Sequence, residues 1–503
     1  MQNNLKYWGI FMFNKYIKSK LFLTLVAFSF SFSAFAQEVE EVVVTATKKE
    51  ESTQDIAVSI TAITADQLAA DQIYDISDLA EVVPGFETAK GVGSGSGFVL
   101  RGIGSYGVGA AVVSSIVTSI NGHSTNPSWF VETGLLDIER IEVLQGPQGT
   151  KFGRNSVQGV INLVTKRPTD EFEGYVNVEA GSYDRKLVSG AINMPFSDSV
   201  RGRLAFGSNT RKGMVENVAT GNLMDDRNDA SVRLSLDWDI NDTTELRFTY
   251  SGQKEDDNRP QEETSYCQPD PFFGCSPYSL GQMNRAPDSR GTAFGLFGFI
   301  GLLYPGTVTN DFGSAAFSDD FRKLYRDREP THLQKTEFSN LELVKELSDE
   351  LTLVAKYSYE TRMFQQMNDN DSVVNVSPMI GAGALLGLPP IVADVCFGTS
   401  NFGFCENVTS NRAYDFSDVV YDSQQYEINV VSDYDGPINF TAGYYAYDSR
   451  NDNEYRVQTV GSQLIGSFGD HPYAPVVQNL LGVDFSGKGG VAFYQGLLGV
   501  LAQ

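Results

Sequence analysis

The sequence predicts an all-β membrane barrel of antiparallel strands, preceded by a small α+β domain. From Phe172 onward, apolar and polar residues alternate with a period of two, as they do in strands with one apolar and one polar face. The predicted connections alternate between tight turns and long loops, which is typical of outer-membrane barrels. Beyond residue 36 no segment is apolar enough for a membrane-spanning helix, so a membrane crossing would depend on strands.

The first 36 residues have the three regions of a secretory signal peptide. Lysines at positions 15, 18 and 20 precede the apolar run of residues 21–30, and a small-residue cleavage site follows at 34–36. The apolar run is shorter than the roughly 20 residues that span a bilayer, which favours a cleaved signal over an anchor. We expect export and cleavage before Gln37, with either Met1 or Met12 as the start.

Composition excludes one large class of partner. The chain has 38 basic and 63 acidic residues, a net charge of −25, and a polyanion binds nucleic acid poorly. Acidic loops that face solvent are the simplest explanation of this charge.

The mature chain is expected to begin with a short charged arm, residues 37–54, and a compact domain, residues 55–168. In that domain Thr64 and Gln67 form a capping-box pattern, Asp75 can cap a second helix, and Pro84 with Gly85 ends it. Short strands are predicted at residues 98–101, 138–144 and 160–164.

Residues 169–503 are predicted to form a partial barrel in which about nine strands can be drawn. A soluble β-sandwich is the rival fold, but it rarely keeps tight turns on one side and long loops on the other. The tight turns are predicted at 195–199, 239–243, 347–350 and 433–437, and the two longest loops at about 254–334 and 361–424.

Three motifs carry a family resemblance. The stretch IERIEVLQGPQGTKFGRNSVQGVINLVTKRP, residues 138–168, strongly resembles the closing section of the plug domain of TonB-dependent receptors, and LRGIG at 100–104 resembles another plug element. EVVVTA resembles the TonB box of that family. Its residues are Glu41, Val42, Val43, Val44, Thr45 and Ala46.

The resemblance implies a plug domain inside the lumen of a barrel with about 22 strands when complete. It also implies that the TonB box is gripped by TonB, the partner energised at the inner membrane. The physical reading agrees, because an extended β-branched run in an exposed arm can add as a strand to a partner's sheet edge. Standing alone, the run would be only a stray β-prone segment.

The plug motif supplies the remaining candidate site residues. Glycines in it fit tight turns inside a confined lumen. Charged residues in it are candidates for contacts between plug and barrel wall, although each could equally be a solvated surface charge. The set is Arg101, Gly102, Arg140, Glu142, Gly146, Gly149, Gly153, Arg154 and Asn155, with Gly159 as a further turn glycine.

The four cysteines form two close pairs, Cys267 with Cys275 and Cys396 with Cys405. In an oxidising compartment this spacing predicts two small disulfide loops. A zinc site would need tighter spacing, and no histidine lies near either pair.

No catalytic or cofactor motif is present. The sequence lacks HExxH and GxSxG, and the GxGxxG at positions 102–107 lacks the βαβ unit that would make it a nucleotide site. We therefore expect a protein that is not an enzyme and has no cofactor or metal. His123 could lie near the extracellular apex of the plug and touch a ligand, but a lone loop histidine is usually only polar surface, so haem ligation is a weak hypothesis.

The resemblance implies TonB-dependent active import across the outer membrane of a Gram-negative cell, driven by the proton-motive force. A ferric siderophore is the first ligand expected, and oligosaccharide, vitamin B12 and haem stay open. The implied partners are TonB, outer-membrane lipid and a small-molecule ligand such as a ferric chelate, without nucleic acid. A signalling or adhesion receptor on the same scaffold is the alternative, whereas a passive porin needs neither plug nor box.

Strand counting predicts a fragment. Each crossing takes about 9 to 11 residues, and the resemblance implies about 22 strands where about nine are apparent. After nine crossings the chain would end outside the cell. We therefore expect that this sequence is C-terminally truncated.

Overall fold

The computed structural model describes residues 43–44, 51–52, 58–90, 96–104, 114–125, 135–259, 269–270, 274–275, 320, 322–369, 393–408 and 412–459. The chain divides into two compact units, residues 1–56 and 57–503. The predicted signal peptide and Cys267 lie outside the described residues, as do Glu41, Val42, Thr45 and Ala46 of the predicted TonB box.

In the first unit the described residues form one short antiparallel pair. Strand β1 (Val43–Val44) pairs with β2 (Glu51–Ser52), with Val43 opposite Ser52 and Val44 opposite Glu51. Val43 and Val44 therefore adopt the extended conformation that valine favours.

The second unit begins with the predicted plug domain, which is α+β. Strands β3, β9, β10, β7 and β8 form one sheet in that order, and β4, β5 and β6 form a second. The elements are β3 (Ser59–Thr64), helix α1 (Ala65–Ala70), a 3-10 helix (Ile76–Glu81), β4 (Phe86–Lys90), β5 (Ser96–Leu100), β6 (Ile103–Gly104), β7 (Ile116–Ile120), β8 (His123–Thr125), β9 (Ile138–Gln145), helix α2 (Gly149–Phe152) and β10 (Gly159–Thr165).

Both predicted helix starts are confirmed. The Thr64 hydroxyl accepts from the Gln67 amide while the Gln67 side chain accepts from the Thr64 amide, which closes the capping box. Asp75 makes a second capping box with Asp78, although the helix it begins is a 3-10 helix of six residues. Leu79 and its neighbours in these helices pack into one apolar cluster with strands β7, β9 and β10, so the plug has its own core.

After the plug, nine strands form one antiparallel sheet, here called the wall, in which sequence neighbours are also spatial neighbours. The predicted number of strands is confirmed for the described part of the chain. The strands are β11 (Glu173–Gly181), β12 (Arg185–Ser197), β13 (Val200–Arg211), β16 (Arg227–Asn241), β17 (Thr244–Asp257), β21 (Thr331–Ser348), β22 (Leu351–Asp369), β25 (Ala413–Ser432) and β26 (Thr441–Thr459).

The wall is polar inside and apolar outside, the reverse of a soluble protein. In β16, Arg233 and Asp237 are 8% and 4% exposed, whereas the alternating Val232 and Trp238 are 39% and 47% exposed. Burying charge while exposing aromatic and aliphatic groups to water would be unfavourable, but lipid reverses the sign for the outer face. The period-two pattern of the sequence thus marks a lipid-facing and an inward-facing row.

The wall has a short-turn end and a long-loop end, as predicted. The strands extend further than expected, because β17 runs to Asp257 and β22 to Asp369, so the two longest connections shrink to residues 258–330 and 370–412. Short elements lie in the connections at the long-loop end. They are β14 (Val215–Asn217), β15 (Leu223–Met224), β18 (Pro269–Asp270), β19 (Gly274–Cys275), β20 (Lys323–Leu324), β23 (Ala393–Gly398) and β24 (Gly403–Val408).

A disulfide joins Cys396 to Cys405 across the β23–β24 hairpin, where the two residues are direct partners. Phe397 and Phe404 of this hairpin pack with Tyr414 in an aromatic cluster. The bond therefore holds together a hairpin that packs against the start of β25.

Non-reducing peptide mass spectrometry is expected to recover Cys396 linked to Cys405, and Cys267 linked to Cys275. Cys396→Ser should destabilise the β23–β24 hairpin by about 2 to 3 kcal/mol, because the cross-link closes a short loop in the unfolded chain. Hydrogen exchange of the hairpin amides measures this loss. Free thiols at Cys267 and Cys275 would refute that pair without affecting the first.

Among the described residues, no helix is both long and apolar enough to cross a membrane.

Candidate coupling interface between plug and wall

The first contact between plug and wall is a buried ion pair. Arg203 of β13 donates from Nε and Nη2 to the two carboxylate oxygens of Asp137, each at 2.7 Å, and the Tyr175 hydroxyl donates to Oδ1 at 3.1 Å. The side chains of Arg203 and Asp137 are 5% and 2% exposed. Beside them, Arg233 Nη1 donates to the Leu136 carbonyl at 2.5 Å. Leu136 and Asp137 of the plug thus form hydrogen bonds with side chains of three wall strands, β11, β13 and β16.

The second contact is centred on Glu342 of β21. Its carboxylate binds Lys356 Nζ and Arg247 Nη1, both at 2.8 Å, and its Oε2 lies 3.9 Å from Nε2 of His123. His123 is 1% exposed and meets Phe338 edge to face. This buried position, in the half of β21 nearer the short turn, fits neither of the two alternatives for His123, an apex contact with a ligand or plain polar surface.

A tight turn places His123 there. Asn121 and Gly122 have φ of +52° and +73°, the conformation of a two-residue hairpin turn that favours the Asn-Gly pair, and they join β7 to β8. The Asn121 carbonyl also accepts from Lys356 at 3.5 Å, so the turn itself contacts the wall.

The third contact lies where the chain leaves the plug. Arg167 Nη2 donates to Asp237 of β16 at 2.7 Å and to Glu245 of β17 at 2.5 Å. Arg247 joins this contact to the second, because it binds both Glu245 and Glu342. The result is a row of alternating charges across β16, β17, β21 and β22.

The fourth contact is aromatic. The Arg154 guanidinium lies 3.7 Å from the centre of the Tyr447 ring in β26, and the Tyr447 hydroxyl shares a hydrogen bond with Tyr421 at 2.5 Å. Gly153, with φ of +74°, lets the loop approach Tyr445 so closely that a Cβ there would lie 3.3 Å from the ring. A side chain at this position would add crowding to an unfavourable backbone conformation.

Other predicted plug residues bind within the plug. Arg101 donates to Gln145 and Ser59, and Arg140 binds Glu142 at 2.9 Å. Arg101 and Gly102, with φ of +53° and +75°, form the tight turn between β5 and β6, which explains the LRGIG motif. Of the four charged candidates, Arg154 is the one for which these contacts lead to the wall.

The glycines of the motif play different parts. Gly146 and Gly153 have positive φ and serve turns, as does Asn155 with φ of +67°. Gly149 begins the four-residue helix α2 in the connection between β9 and β10, whereas Gly159 lies in strand β10, so the prediction of a turn is wrong at Gly159. At Gly159 a Cβ would lie 2.4 Å from the Leu144 carbonyl, so close strand packing requires glycine there.

Most contacts between the plug and the wall join residues that no sequence motif singles out. Asp137 precedes strand β9, and Arg203, Arg247, Glu342 and Lys356 stand at inward positions of strands that read as ordinary alternation. The available signal was an Asn-Gly turn before His123 and charged residues on the polar face of a predicted membrane strand. Neither signal identifies a partner.

This interface can hold the plug firmly without making it permanent. Most of its contacts are charged or hydrogen-bonded, and water can replace such contacts if the plug moves, whereas an apolar seam would have no substitute. Phe338, which packs into the apolar cluster of the plug, is an exception. Among the described residues, no group of three or more His, Cys, Asp or Glu side chains is placed to hold a metal ion.

An α+β domain held against the polar inner face of an antiparallel sheet with an apolar outer face defines the class of plugged outer-membrane proteins. A family model described as the TonB-dependent Receptor Plug Domain matches residues 52–160. An iron-regulated outer membrane virulence protein of Vibrio cholerae is 31% identical over 185 residues, which are 34% of this chain and 28% of that protein. A vitamin B12 transporter of Vibrio vulnificus is 30% identical over 193 residues, or 37% of this chain and 31% of that protein.

A solved structure shares the fold. The siderophore receptor PiuA from Acinetobacter baumannii superposes with a TM-score of 0.56 at 14% identity, over 84% of this chain and 50% of that chain. The sequence matches cover less than a third of these curated relatives. The chain thus contains a plug domain of the TonB-dependent receptor type, and its described part has the fold of a solved siderophore receptor.

Proposed function

We propose that the protein takes part in TonB-dependent active import of a ferric siderophore across the outer membrane. The observation that carries this proposal is a plug domain attached to the inner face of the wall through polar contacts that water can replace. Such an attachment suits a part that must be displaced and returned. The names of the relatives, which include an iron-regulated outer-membrane protein and a siderophore receptor, favour iron over the other ligands.

In this mechanism the long-loop end faces outward and receives the ligand. TonB binds the extended segment around Val43 and Val44 by strand addition, in which main-chain hydrogen bonds carry the load. Force then passes along the backbone into β3 of the plug. The contacts at Asp137, Glu342 and Arg167 set how much force is needed before the plug shifts.

Uptake assays in cells that make the protein from its own gene test the ligand and the mechanism together. Under iron limitation, these cells are expected to accumulate radiolabelled ferric siderophore, and both a protonophore and deletion of the gene should abolish accumulation. Haem, cyanocobalamin and oligosaccharide are the comparison ligands.

Each alternative has its own outcome. Energy-dependent accumulation of a comparison ligand in place of the siderophore would overturn the ligand assignment and leave import standing. Binding of a ligand at the surface without accumulation would favour the signalling or adhesion receptor and overturn import.

A further inference from the structure

A short segment at the long-loop end, residues 322–330, is called the strap. It begins with β20, which pairs in parallel with β14. The side chain of Asn217, which is fully buried, donates to the Arg326 carbonyl at 3.0 Å and accepts from the Arg326 amide at 3.1 Å. Glu329 accepts from Asn217 and Asn222 at 3.2 and 3.1 Å. These hydrogen bonds therefore join the strap to the loop at residues 212–226.

A second group of hydrogen bonds joins the strap to the end of β22. Arg326 Nη1 donates to the Asp369 carbonyl at 2.8 Å, and the Asp327 amide donates to Asp369 Oδ2 at 2.7 Å. Arg328 lies over the Phe404 ring at 3.8 Å, so the strap also contacts the disulfide hairpin. One segment thus connects three parts of the long-loop end.

The charges around Asp327 do not balance. Its carboxylate faces Asp369 of β22, Glu406 of β24 and Arg412, which precedes β25; Arg412 Nε lies 3.7 Å from Asp327 Oδ1 and its Nη1 binds Glu406 at 2.9 Å. Among the described residues, two carboxyl groups and one guanidinium thus act on Asp327. An ionised Asp327 is repelled by two negative charges and attracted by one positive charge, and a proton on Asp327 removes the repulsion.

Asp327 is the carboxyl group best placed to take that proton. Its side chain is 3% exposed, and its Oδ2 is buried without a hydrogen-bond partner. By contrast, both carboxylate oxygens of Glu406 accept a hydrogen bond, one from Arg412 and one from the Tyr414 hydroxyl. A buried ionised oxygen without a donor is costly, whereas a protonated one can itself donate.

We propose that the strap is a pH-sensitive clasp, docked while Asp327 is protonated and loosened when Asp327 ionises. Loosening would separate the loop at residues 212–226 from the end of β22 and from the disulfide hairpin. The proposal does not depend on the ligand or on energy coupling.

The acid strength of Asp327 agrees with this mechanism. Burial, followed by the negative charge of Asp369, raises the pKa of Asp327 from 3.8 to about 7, while Arg412 opposes the shift. Because the pKa is higher in the docked state, docking is favoured at low pH. That advantage is lost progressively as pH rises from the ordinary value of the group to about 7, and the loss then levels off.

Hydrogen exchange of the full chain in detergent micelles tests the clasp. Amides of residues 322–330 are measured between pH 5.5 and 8.5 and corrected for intrinsic exchange rates. The population of the open strap should rise by about thirty-fold over this range, with most of the rise below about pH 7.5. Asp327→Asn should remove the pH dependence and keep the strap protected at pH 8.5.

Two further variants make the result decisive. Asp369→Asn keeps an oxygen for the Asp327 amide but removes the neighbouring charge, so the midpoint of the transition should move to lower pH. Asp349→Asn, an exposed position in the short turn between β21 and β22, should leave the transition unchanged. Protection that does not change with pH in the wild type, or an unaltered transition in both Asp327→Asn and Asp369→Asn, would overturn the clasp.

Discussion

Replacing Val43 with proline is expected to reduce energy-dependent uptake by about ten-fold or more, while ligand binding at the cell surface stays normal. Proline has no amide hydrogen and cannot complete a β-ladder, and the loss of about 1.4 kcal/mol in partner affinity already gives a ten-fold effect. The measurement is uptake of radiolabelled ligand with and without a protonophore, beside surface binding at low temperature. Deletion of residues 42–45 should give the same result.

Val43→Ala is the matched control. It shortens the same side chain but keeps the amide hydrogen, and it should retain most of the uptake if main-chain bonds carry the attachment. Normal surface binding by the proline variant shows that the protein is present and folded. Unchanged energy-dependent uptake by the proline variant would contradict the proposed coupling mechanism.

Asp137→Asn is expected to lower the free energy needed to detach the plug by about 3 kcal/mol. The variant keeps the shape of the side chain but leaves the buried Arg203 without its main counter-charge, and breaking a buried pair on one side costs about 3 to 5 kcal/mol. Glu173, at 3.7 Å from Arg203 and half exposed, compensates only weakly. Native-state hydrogen exchange at Thr169, whose amide donates to Asn193 Oδ1 of β12 at 2.9 Å, reports the opening.

Asp184→Asn provides the control for this prediction. Asp184 pairs with Lys212 on the surface, where the two side chains are 63% and 68% exposed, so the same chemical change should leave the opening almost unchanged. A double variant, Asp137→Leu with Arg203→Met, should recover part of the loss because neither charge is then left alone. Equal effects of Asp137→Asn and Asp184→Asn would show that the buried pair does not hold the plug.

In the wall, the local sequence pattern predicts the strands and their two faces but not the partners of their side chains. In β16, alternation of residues such as Trp238 and Asp237 predicts the strand and its two faces, because side chains point to opposite sides in turn. Which partner Asp237 binds depends on Arg167, which comes from the plug. The residues next to Arg167 or Asp237 in the sequence do not show that the two side chains meet.

The plug shows the same division. The capping boxes at Thr64 and Asp75 could be read directly, since a cap involves residues three apart in sequence. Arg101 and Arg154 look alike in sequence, yet Arg101 completes a turn within the plug while Arg154 lies on the Tyr447 ring. His123, for which an apex contact with a ligand and plain polar surface were the alternatives, is instead buried beside Glu342.

The order of the parts could be predicted from the residues alone: an export signal and a β-prone segment, which stay expectations, then a plug with its helix caps and a series of amphipathic strands. These features depend on residues that are close together in the sequence, so they can be predicted without knowledge of the tertiary structure. The tertiary structure was needed to show which charged residues of the plug pair with those of the wall. It was also needed to show that Asp327 is buried next to two other carboxyl groups. Those contacts join residues far apart in sequence, and their energies come from burial that only the folded chain creates.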